Sequence, residues 1–321
     1  MKRTFFYAFP CLLLALCLTV GCEDSSKKRN GRTDTPTSGA ISFASDESFS
    51  PIIQELVDQF EFKYPKAKLT PIYTNEIDGF NMIKDMKTCL FFTSRPLKDS
   101  EVAYMKTKKQ IPSVFPIGYD GLAFIVNTQN NDTCISVKDI KRVLNGEATQ
   151  WSDLVPGSKR GEIDVVFDNK QSATLHYVVD SILDGKPINS PNITAAKTSK
   201  EVIDYVDATP NAIGVIGSNW LNDKRDTTNC TFKKNIHVMS VSVNDVATPR
   251  NSWKPFQAYL LDGRYPFART IYAICVDPQK ALPWSFANYV TSPVGQMIVF
   301  KSGLLPYRGD ITIRRVNVKK Q

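Results

Sequence analysis

The fold of this chain is decided by residues 41–53, which read ISFASDESFSPII. The first four residues form a short apolar run that is typical of a strand. Ser50 and Pro51 then begin a helix, because serine is a good N-cap and proline suits the first helical position. The apolar residues of 52–60 continue at helical spacing. A strand that passes through a hydroxyl-rich turn into a helix is the opening half of a βαβ unit.

The same alternation continues along the chain. Further strand patterns lie at residues 69–73, 89–92, 114–126, 163–167, 213–216, 236–243 and 270–276. Helical patterns lie between and after them, including residues 136–144, 173–183, 198–206, 284–290 and 294–300. Strands that alternate with helices predict an α/β protein whose mixed, mostly parallel sheets are flanked by helices.

Length and composition support a folded, two-domain protein. The chain has 321 residues, of which 42% are hydrophobic and 22% charged, and a domain usually takes about 100–200 residues. These values exclude collagen-like, coiled-coil and wholly disordered chains. Only residues 4–22 form a long uncharged apolar run, which excludes a membrane protein with several spans.

The formal net charge of +8 comes largely from the two ends of the chain. Basic residues cluster at 27–32 and again at 314–320. Nucleic-acid binding would need a basic face with interleaved aromatic residues, so we expect no nucleic-acid partner. The basic ends are interpreted as solvated tails or as contacts to anionic lipid.

The N-terminus is predicted to be an export signal. Residues 1–21 begin with Lys2 and Arg3, continue with an apolar stretch, and end at Cys22, after which the chain turns polar. The segment LTVGC at 18–22 resembles a bacterial lipobox, although its leucine lies four residues before the cysteine, where three is usual. The resemblance implies cleavage before Cys22 and a lipid on its sulfur, which would anchor the chain to a bacterial membrane, on the periplasmic side or at the cell surface.

Two alternatives to the lipoprotein remain open at the N-terminus. The apolar run is long enough for an uncleaved transmembrane anchor, and cleavage could also release a soluble protein. In each case residues 22–40 are rich in small polar and basic residues and bury little apolar area. They are interpreted as a flexible tether.

The cysteines after Cys22 fall into two kinds. Cys89 and Cys275 lie in apolar runs and are predicted to be core residues. Cys134 and Cys230 lie in polar surroundings, and an exported compartment would permit them to form a disulfide. No CxxC pair occurs, so we expect no structural zinc site.

Signatures of catalysis are missing from the sequence. The two histidines, His176 and His237, are far apart, and no HExxH, GxSxG, GxxxxGK[ST] or GxGxxG motif occurs. Both histidines are interpreted as structural residues, His176 in a helix and His237 in a strand. We therefore expect no catalytic residues, no metal and no cofactor.

Two hydroxyl-rich turns stand out instead. SDESFSP at residues 45–51 and QSAT at 171–174 each follow a predicted strand and precede a predicted helix. The N-terminus of a helix presents free N–H groups and a partial positive charge, which favour anions. If the two turns faced one cleft, they would form an oxyanion receptor. The alternative is that each hydroxyl only caps its own helix.

Several motifs in order carry a family resemblance. They are ESFSP at 47–51, TSRPL at 93–97, LNG and WSDL at 144–154, NAIG at 211–214, and SPVGQM with GLLP at 292–306. In these motifs, over residues 41–308, the chain resembles the phosphate-binding proteins of bacterial ABC importers. The resemblance implies the type II periplasmic-binding fold, in which two α/β lobes surround a cleft. Residues 41–127 and 246–321 would form lobe 1, and residues 128–245 would form lobe 2.

The resemblance also implies a function. The chain would capture phosphate or a similar small oxyanion outside the cytoplasm and deliver it to an ABC permease, acting as a monomer without covalent chemistry. A second hypothesis keeps the fold but gives it an altered pocket, which would serve as a sensor, bind a partner protein or take a different solute.

The resemblance assigns ligand-binding positions residue by residue. Ser48 and Phe49 match the first turn of the family, and Ser172 and Thr174 match the second. Two nearby positions depart from the family pattern. Asp168 stands where the family has an arginine, and both glycines of the second turn are missing.

The departures suggest a charge-swapped site. A buried anion needs charge-assisted donors. Arg95, in the TSRPL motif, could replace the lost arginine, while Asp168 could accept a proton from the ligand. The alternative is that Arg95 and Asp168 pair with each other or face solvent. Glu47, Glu76 and Asp78 add negative charge nearby, which argues against a strongly anionic ligand.

Overall fold

A computed structural model of the chain describes residues 32–222 and 232–309. The predicted signal peptide, Cys22, most of the tether, Cys230 and the basic C-terminal run lie outside the described residues. Among the described residues, 32–34 belong to a separate unit, in which Arg32 pairs with Asp34 at 2.6 Å. A second unit begins at Thr35 and contains the other described residues.

The strands of this unit alternate with helices as predicted. They are β1 (Gly39–Asp46), β2 (Ala67–Thr74), β3 (Leu90–Thr93), β4 (Ser113–Asn127), β5 (Cys134–Ser136), β6 (Asp164–Phe167), β7 (Ile193–Ala195), β8 (Ala212–Gly217), β9 (Ile236–Val238), β10 (Ser240–Ser242), β11 (Ala268–Cys275) and β12 (Leu305–Pro306). The pattern at 236–243 was predicted as one strand. It divides into two, because β9 pairs with β4 whereas β10 pairs with β5.

The α-helices cover the sheets. They are α1 (Ser50–Lys63), α2 (Glu76–Lys84), α3 (Asp99–Thr107), α4 (Val137–Leu144), α5 (Trp151–Leu154), α6 (Ala173–Tyr177), α7 (Ser199–Ala208), α8 (Gln257–Leu261), α9 (Leu282–Thr291) and α10 (Pro293–Lys301). A 3₁₀ turn (Glu47–Phe49) precedes α1, and a π-helical turn (Val178–Ile182) continues α6. The helix predicted at 173–183 therefore exists, with its second half wound more widely.

One long strand, β4, organises the main sheet. Within the described residues this sheet runs β2-β1-β3-β11-β4-β8-β6-β7, with β9 and β12 also paired to β4. The first half of β4 pairs with β11 up to Gly121, and the second half pairs with β8 from Leu122 onward. The outer pairs β1–β2, β1–β3, β6–β7 and β6–β8 are parallel, whereas the central pairs β3–β11, β4–β11 and β4–β8 are antiparallel. The predicted α/β class, with a mixed and largely parallel sheet flanked by helices, is confirmed.

The two halves of β4 belong to different hydrophobic cores. One core surrounds β1, β3 and α9 and contains Phe43, Phe60, Phe92 and Phe286. A second core collects Leu122, Phe124 and Val126 of β4 together with residues of α4, β6, β8 and 259–267, whereas Ala123 and Ile125 belong to a third core. β4 therefore leaves the first core along its length, and β11 lies in the first core again.

The family motifs have recognisable structural roles. The Trp151 side chain is buried and donates from Nε1 to the Asn211 carbonyl at 2.9 Å. Gln296 donates to the Ile117 and Val290 carbonyls at 2.9 and 3.0 Å. Gly295 is needed beside it, because a Cβ there would lie 2.3 Å from the Tyr289 carbonyl oxygen. These motifs fix the fold rather than the ligand.

The structure can also be compared with the predictions for the cysteines and for membrane-spanning segments. Cys275 is buried as predicted, and Cys89 is half-buried at the edge of a small core. Cys134 forms no disulfide with any described cysteine; a disulfide to Cys230 stays a prediction, since that residue lies outside the described ones. Within residues 32–222 and 232–309, no helix has the length and hydrophobicity that crossing a membrane requires.

Phe286 is expected to be a main contributor to stability. Its ring lies 5.3–5.8 Å from the rings of Phe43, Phe60 and Phe92, at the centre of the first core. Phe286→Ala should lower the free energy of unfolding by about 3–5 kcal/mol, because it removes a fully buried ring. Phe62→Ala is the matched control, because that ring is 83% exposed. Urea denaturation measures both; equal, small effects would contradict the packing described.

Candidate functional site

The two hydroxyl-rich turns meet at the carboxyl ends of β1 and β6. The backbone N–H of Ala173, at the start of α6, donates to Asp46 Oδ2 at 3.1 Å. Asp46 ends β1, and 127 residues of chain separate it from Ala173. The fold therefore brings the two turns into direct contact.

The first turn is organised by the carboxylate of Asp46. Its Oδ1 accepts hydrogen bonds from the Ser48 backbone N–H at 3.0 Å and from the Ser48 hydroxyl at 2.6 Å. Asp46, Ser48 and Phe49 are completely buried. Helix α1 begins at Ser50 with Phe49 as its N-cap and has no side-chain cap, so the prediction of Ser50 as the N-cap is wrong. The Ser48 hydroxyl donates to Asp46 and does not cap the helix.

The second turn is organised by Asp168, which lies one residue after β6. Asp168 accepts hydrogen bonds from Ser172 Oγ at 2.6 Å and from Thr174 Oγ1 at 2.9 Å. Ser172 also caps α6, since its Oγ accepts from Leu175 N at 3.1 Å. Ser172 therefore both caps its own helix and contacts Asp168. The Thr174 hydroxyl contacts Asp168 and Arg269.

A buried arginine that the sequence analysis missed joins the two turns. Arg269 on β11 is 2% exposed. It donates to Ser48 Oγ and to Thr174 Oγ1, each at 3.3 Å. Its guanidinium carbon lies 4.6 Å from the centre of the Phe49 ring. Four of the six residues predicted to bind ligand therefore surround Arg269 or touch its partners: Ser48, Phe49, Thr174 and Asp168.

Asp120 holds this arginine in place. It lies on β4 directly opposite Arg269 in the sheet register, and its Oδ2 accepts from Nη2 at 2.8 Å and from Nε at 3.0 Å. Asp120 Oδ1 accepts from Ser218 Oγ at 2.8 Å and from Asn219 N at 3.2 Å. A signal was present in the sequence, because a charged residue inside the apolar run 114–126 must find a partner when it is buried.

A second contact links the first turn to the start of α7 through Glu47. Its Oε2 accepts from the backbone N–H and the hydroxyl of Ser199, both at 3.0 Å. Ser199 is the first residue of α7, so this carboxylate lies at the positive end of a helix. Burial and the neighbouring Asp168 and Asp46 carboxylates nevertheless raise the pKa of Glu47 to about 7, against the two hydrogen bonds from Ser199.

A third contact pairs Glu76 with His176. Glu76, the first residue of α2, is buried, and its Oε1 lies 2.9 Å from His176 Nδ1 on α6. Burial alone would raise the pKa of Glu76, but His176 and Arg95 lower it. The hydrogen bond to Glu76 in turn raises the pKa of His176. The interpretation of His176 as an ordinary helix residue therefore overlooked its partner.

Arg95 contacts the same oxygen of Glu76 as His176 does. Its Nε donates to Glu76 Oε1 at 3.1 Å, and its two Nη atoms donate to the two oxygens of Glu101 at 2.9 Å. The guanidinium stacks 3.8 Å over the centre of the Phe80 ring. Arg95 and Asp168 do not pair with each other, and the donors of Arg95 are engaged by two carboxylates.

The centre of the site is rich in carboxylates. Burial is the main reason why the pKa of Asp46 rises to about 6, with a further contribution from the charge of Asp168. Burial likewise raises the pKa of Asp168, although Ser172, Thr174 and Arg269 act against it. Among the described residues, no group of three or more His, Cys, Asp or Glu is arranged to hold a metal ion. The site offers hydroxyls, backbone N–H groups and one guanidinium, which are suited to binding rather than to covalent chemistry.

The sheet order and the paired strand-to-helix turns define a type II periplasmic-binding fold. Residues 30–294 match the family model described as a PBP superfamily domain. Because this match covers most of the chain, the protein belongs to that family, which comprises solute-binding proteins of transporters and is not an enzyme family.

Sequence relatives are consistent with this family. The protein is 21% identical over 313 residues to the phosphate-binding protein PstS of Borreliella burgdorferi, a match that covers 95% of this chain and 99% of the relative. It is 21% identical to PstS of Bacillus subtilis, with 96% and 94% covered. The match to PstS of Staphylococcus haemolyticus, at 22% identity, covers 70% of this chain and 66% of that relative. The resemblance inferred from the motifs is confirmed.

Solved structures confirm the fold. A putative phosphate ABC transporter substrate-binding protein of Clostridium perfringens, with bound phosphate, superposes with a TM-score of 0.68 at 20% identity. That match covers 84% of this chain and all of the other. An ABC-type phosphate transport receptor of Vibrio cholerae gives a TM-score of 0.61 at 17% identity, with the same coverage.

The Arg269–Asp120 pair is expected to be needed for stability. Arg269→Met should lower the free energy of unfolding by about 3–5 kcal/mol, because it leaves a buried carboxylate without its cation. Adding Asp120→Leu should recover part of this loss, because neither charge then remains buried. Lys200→Met is the control; its partner Asp204 is exposed, and such a pair contributes less than about 1 kcal/mol. No recovery in the double variant would contradict the pairing.

The titration of His176 should report its contact with Glu76. The pKa of His176 is raised above 6.5, so this pairing stabilises the fold fully below that pH and is lost as the pH rises through the folded-state pKa. Glu76→Gln should lower the pKa of His176, measured by NMR of the two histidine rings. His237, whose Nδ1 lies 3.0 Å from the Asn130 carbonyl, is an internal reference. An unchanged His176 titration would show that the contact is not formed in solution.

Proposed function

We propose that this protein is the extracytoplasmic solute-binding component of an ABC-type importer, and that it captures phosphate or a similar small oxyanion. Membership of a family of transporter solute-binding proteins supports the general role. Its relatives from Borreliella burgdorferi and Bacillus subtilis are described as phosphate-binding proteins, and the Clostridium perfringens structure contains bound phosphate.

One observation carries the choice of an oxyanion. Arg269 donates to both Ser48 and Thr174, so a buried guanidinium and the hydroxyls of both turns converge at one point. The Ala173 N–H points to the same place, where it now meets Asp46. Converging N–H and O–H donors around a buried cation are the chemistry that binds a tetrahedral oxyanion.

The proposed ligand-binding residues are Ser48, Phe49, Ser172 and Thr174, with Asp168 orienting the last two. Arg95 and Arg269 are the two candidates for the cation. The contacts favour Arg269, because it donates to the hydroxyls of both turns in addition to Asp120, whereas Arg95 donates to Glu76 and Glu101. Asp168 retains its proposed role as acceptor of a ligand proton.

The proposed cleft lies between two lobes that would close on the solute by a hinge motion. The sequence predicts that the chain crosses between the lobes near residues 127 and 246. The distribution of packing favours crossings closer to Leu122 and Phe267, because both residues already belong to the second core. The residues near these crossings would then absorb the motion.

The remaining parts of the proposal concern partners and location. The closed form would deliver solute to an ABC permease, and Cys22 would carry the lipid that anchors the protein to the membrane. We propose a monomer that has no enzymatic activity and needs no cofactor or metal.

A second candidate function is a sensor or protein-interaction module, or a receptor for another solute. Asp46, Glu47 and Asp168 place three carboxyl groups in the same site, which disfavours a strongly anionic ligand. Calorimetry with phosphate separates this candidate from the first.

The full chain, purified in detergent and dialysed exhaustively against phosphate-free buffer, should bind phosphate in a calorimetric titration. Thr174→Val should weaken this binding about tenfold or more, because it removes a hydrogen bond to a charged ligand. Thr194→Val is the control; its hydroxyl also donates to a carboxylate, Asp164, but away from the site.

Sulfate should serve as a competitor. No heat with phosphate at any pH between 5 and 8, from folded protein, would reject phosphate as the solute and favour the second candidate. Equal weakening by Thr174→Val and Thr194→Val would instead place the binding elsewhere on the protein.

A further inference from the structure

The carboxylate of Asp46 uses the donors that the proposed function assigns to the solute. Its Oδ1 accepts from the N–H and the hydroxyl of Ser48, and its Oδ2 accepts from Ala173 N. Ser48 belongs to the first turn and Ala173 to the second, so this side chain bridges both. It is completely buried. A carboxylate held by N–H and O–H donors from both turns is bound as an oxyanion would be.

The charges around Asp46 leave little room for a second anion. Glu47 precedes Ser48 on the same turn, Asp168 faces Asp46 from the end of β6, and Asp120 lies on β4. Glu76 on α2 contacts both His176 on α6 and Arg95 at the edge of the site. Arg269 is the buried cation among these described groups, and it already pairs with Asp120 at 2.8 Å. An ionised Asp46 and an entering oxyanion would therefore repel each other in a poorly solvated site.

We propose that Asp46 is an internal competitor for the oxyanion, and that solute binding displaces its carboxylate from Ala173 and Ser48 together with the uptake of a proton from solvent. This inference rests on the proposed function. Asp46 would then set both the affinity and the pH range of solute capture. The proton would add to the displaced carboxylate, so that the site gains one anion and loses one.

The electrostatics of the unliganded site agree with this exchange. Burial, followed by the charge of Asp168, raises the pKa of Asp46 to about 6, so the group is mainly ionised at pH 7.5 and mainly protonated at pH 5. When a group of the protein itself competes for the site, the apparent affinity equals the intrinsic affinity multiplied by the fraction of molecules in which the site is free. Capture should therefore strengthen as the pH falls, by up to about tenfold per pH unit above the pKa of Asp46, for each proton taken up.

The Asp46→Asn variant removes the charge of the proposed competitor and leaves the neighbouring carboxyl groups unchanged. The asparagine Oδ1 can still accept from Ser48, but its amide nitrogen cannot accept from Ala173 and carries no charge. Calorimetry would compare phosphate affinity of this variant and the wild type at pH 5, 6.5 and 7.5. Because both proteins meet the same mixture of phosphate ions, the ratio of their affinities cancels the titration of phosphate itself.

We expect Asp46→Asn to bind phosphate about tenfold or more tightly than wild type at pH 7.5, with the ratio approaching one near pH 5. Asp58→Asn is the matched control. It makes the same charge change at an exposed position on α1, and its affinity ratio should stay near one at every pH. A ratio of one or less for Asp46→Asn at pH 7.5 would overturn the proposal.

A second measurement keeps the proposal testable if the variant does not fold. Titrating wild-type protein with phosphate at pH 7.5 in buffers of different ionisation enthalpy gives the number of protons exchanged. After subtraction of the protons that phosphate itself exchanges, net uptake is expected, and zero uptake or release would reject the proton exchange. Absence of binding by both proteins at every pH would instead refute the proposed function, and this inference with it.

Discussion

The structure around the candidate site depends on one buried ion pair, Arg269 with Asp120. The two residues lie opposite each other on β11 and β4, at the point where β4 passes from one hydrophobic core to the other. The cost of removing both charges from water is offset by two hydrogen bonds from Arg269 to Asp120, and by two more that Ser218 and Asn219 donate to Asp120. The remaining donors of Arg269 reach Ser48 and Thr174, so the same pair that joins the strands also orients both turns.

The rest of the site balances this single cation against an excess of carboxyl groups. Asp46, Glu47 and Asp168 each accept hydrogen bonds from hydroxyls or from N–H groups at the start of a helix, which are the groups that a receptor offers to an anion. The protein therefore satisfies its anion-binding donors with its own side chains. Burial raises the pKa of all three carboxyls, so the charge of the site changes with pH.

Local patterns in the sequence predicted most of the fold but only part of the candidate site. Apolar periodicity located β1, β4, α1 and α7, because each buries a regular face, and the hydroxyl-rich turns identified Ser48, Ser172 and Thr174. The sequence offered no direct route to Arg269, whose partners lie 95 to 221 residues away, or to the His176–Glu76 contact across 100 residues. Such pairs are created by the meeting of distant strands, which no local pattern encodes. Arg95 could be predicted as a ligand-binding residue because its TSRPL motif is local, but its guanidinium pairs with the nearby Glu76 and Glu101.

The most direct test of this account is a crystal structure of the protein grown with phosphate. The account predicts a phosphate between the two turns, within hydrogen-bonding distance of Ser48, Thr174 and Arg269, with the Asp46 carboxylate moved away from Ala173. A structure in which the Asp46–Ala173 contact persists at saturating phosphate, with the anion absent or bound elsewhere, would contradict it.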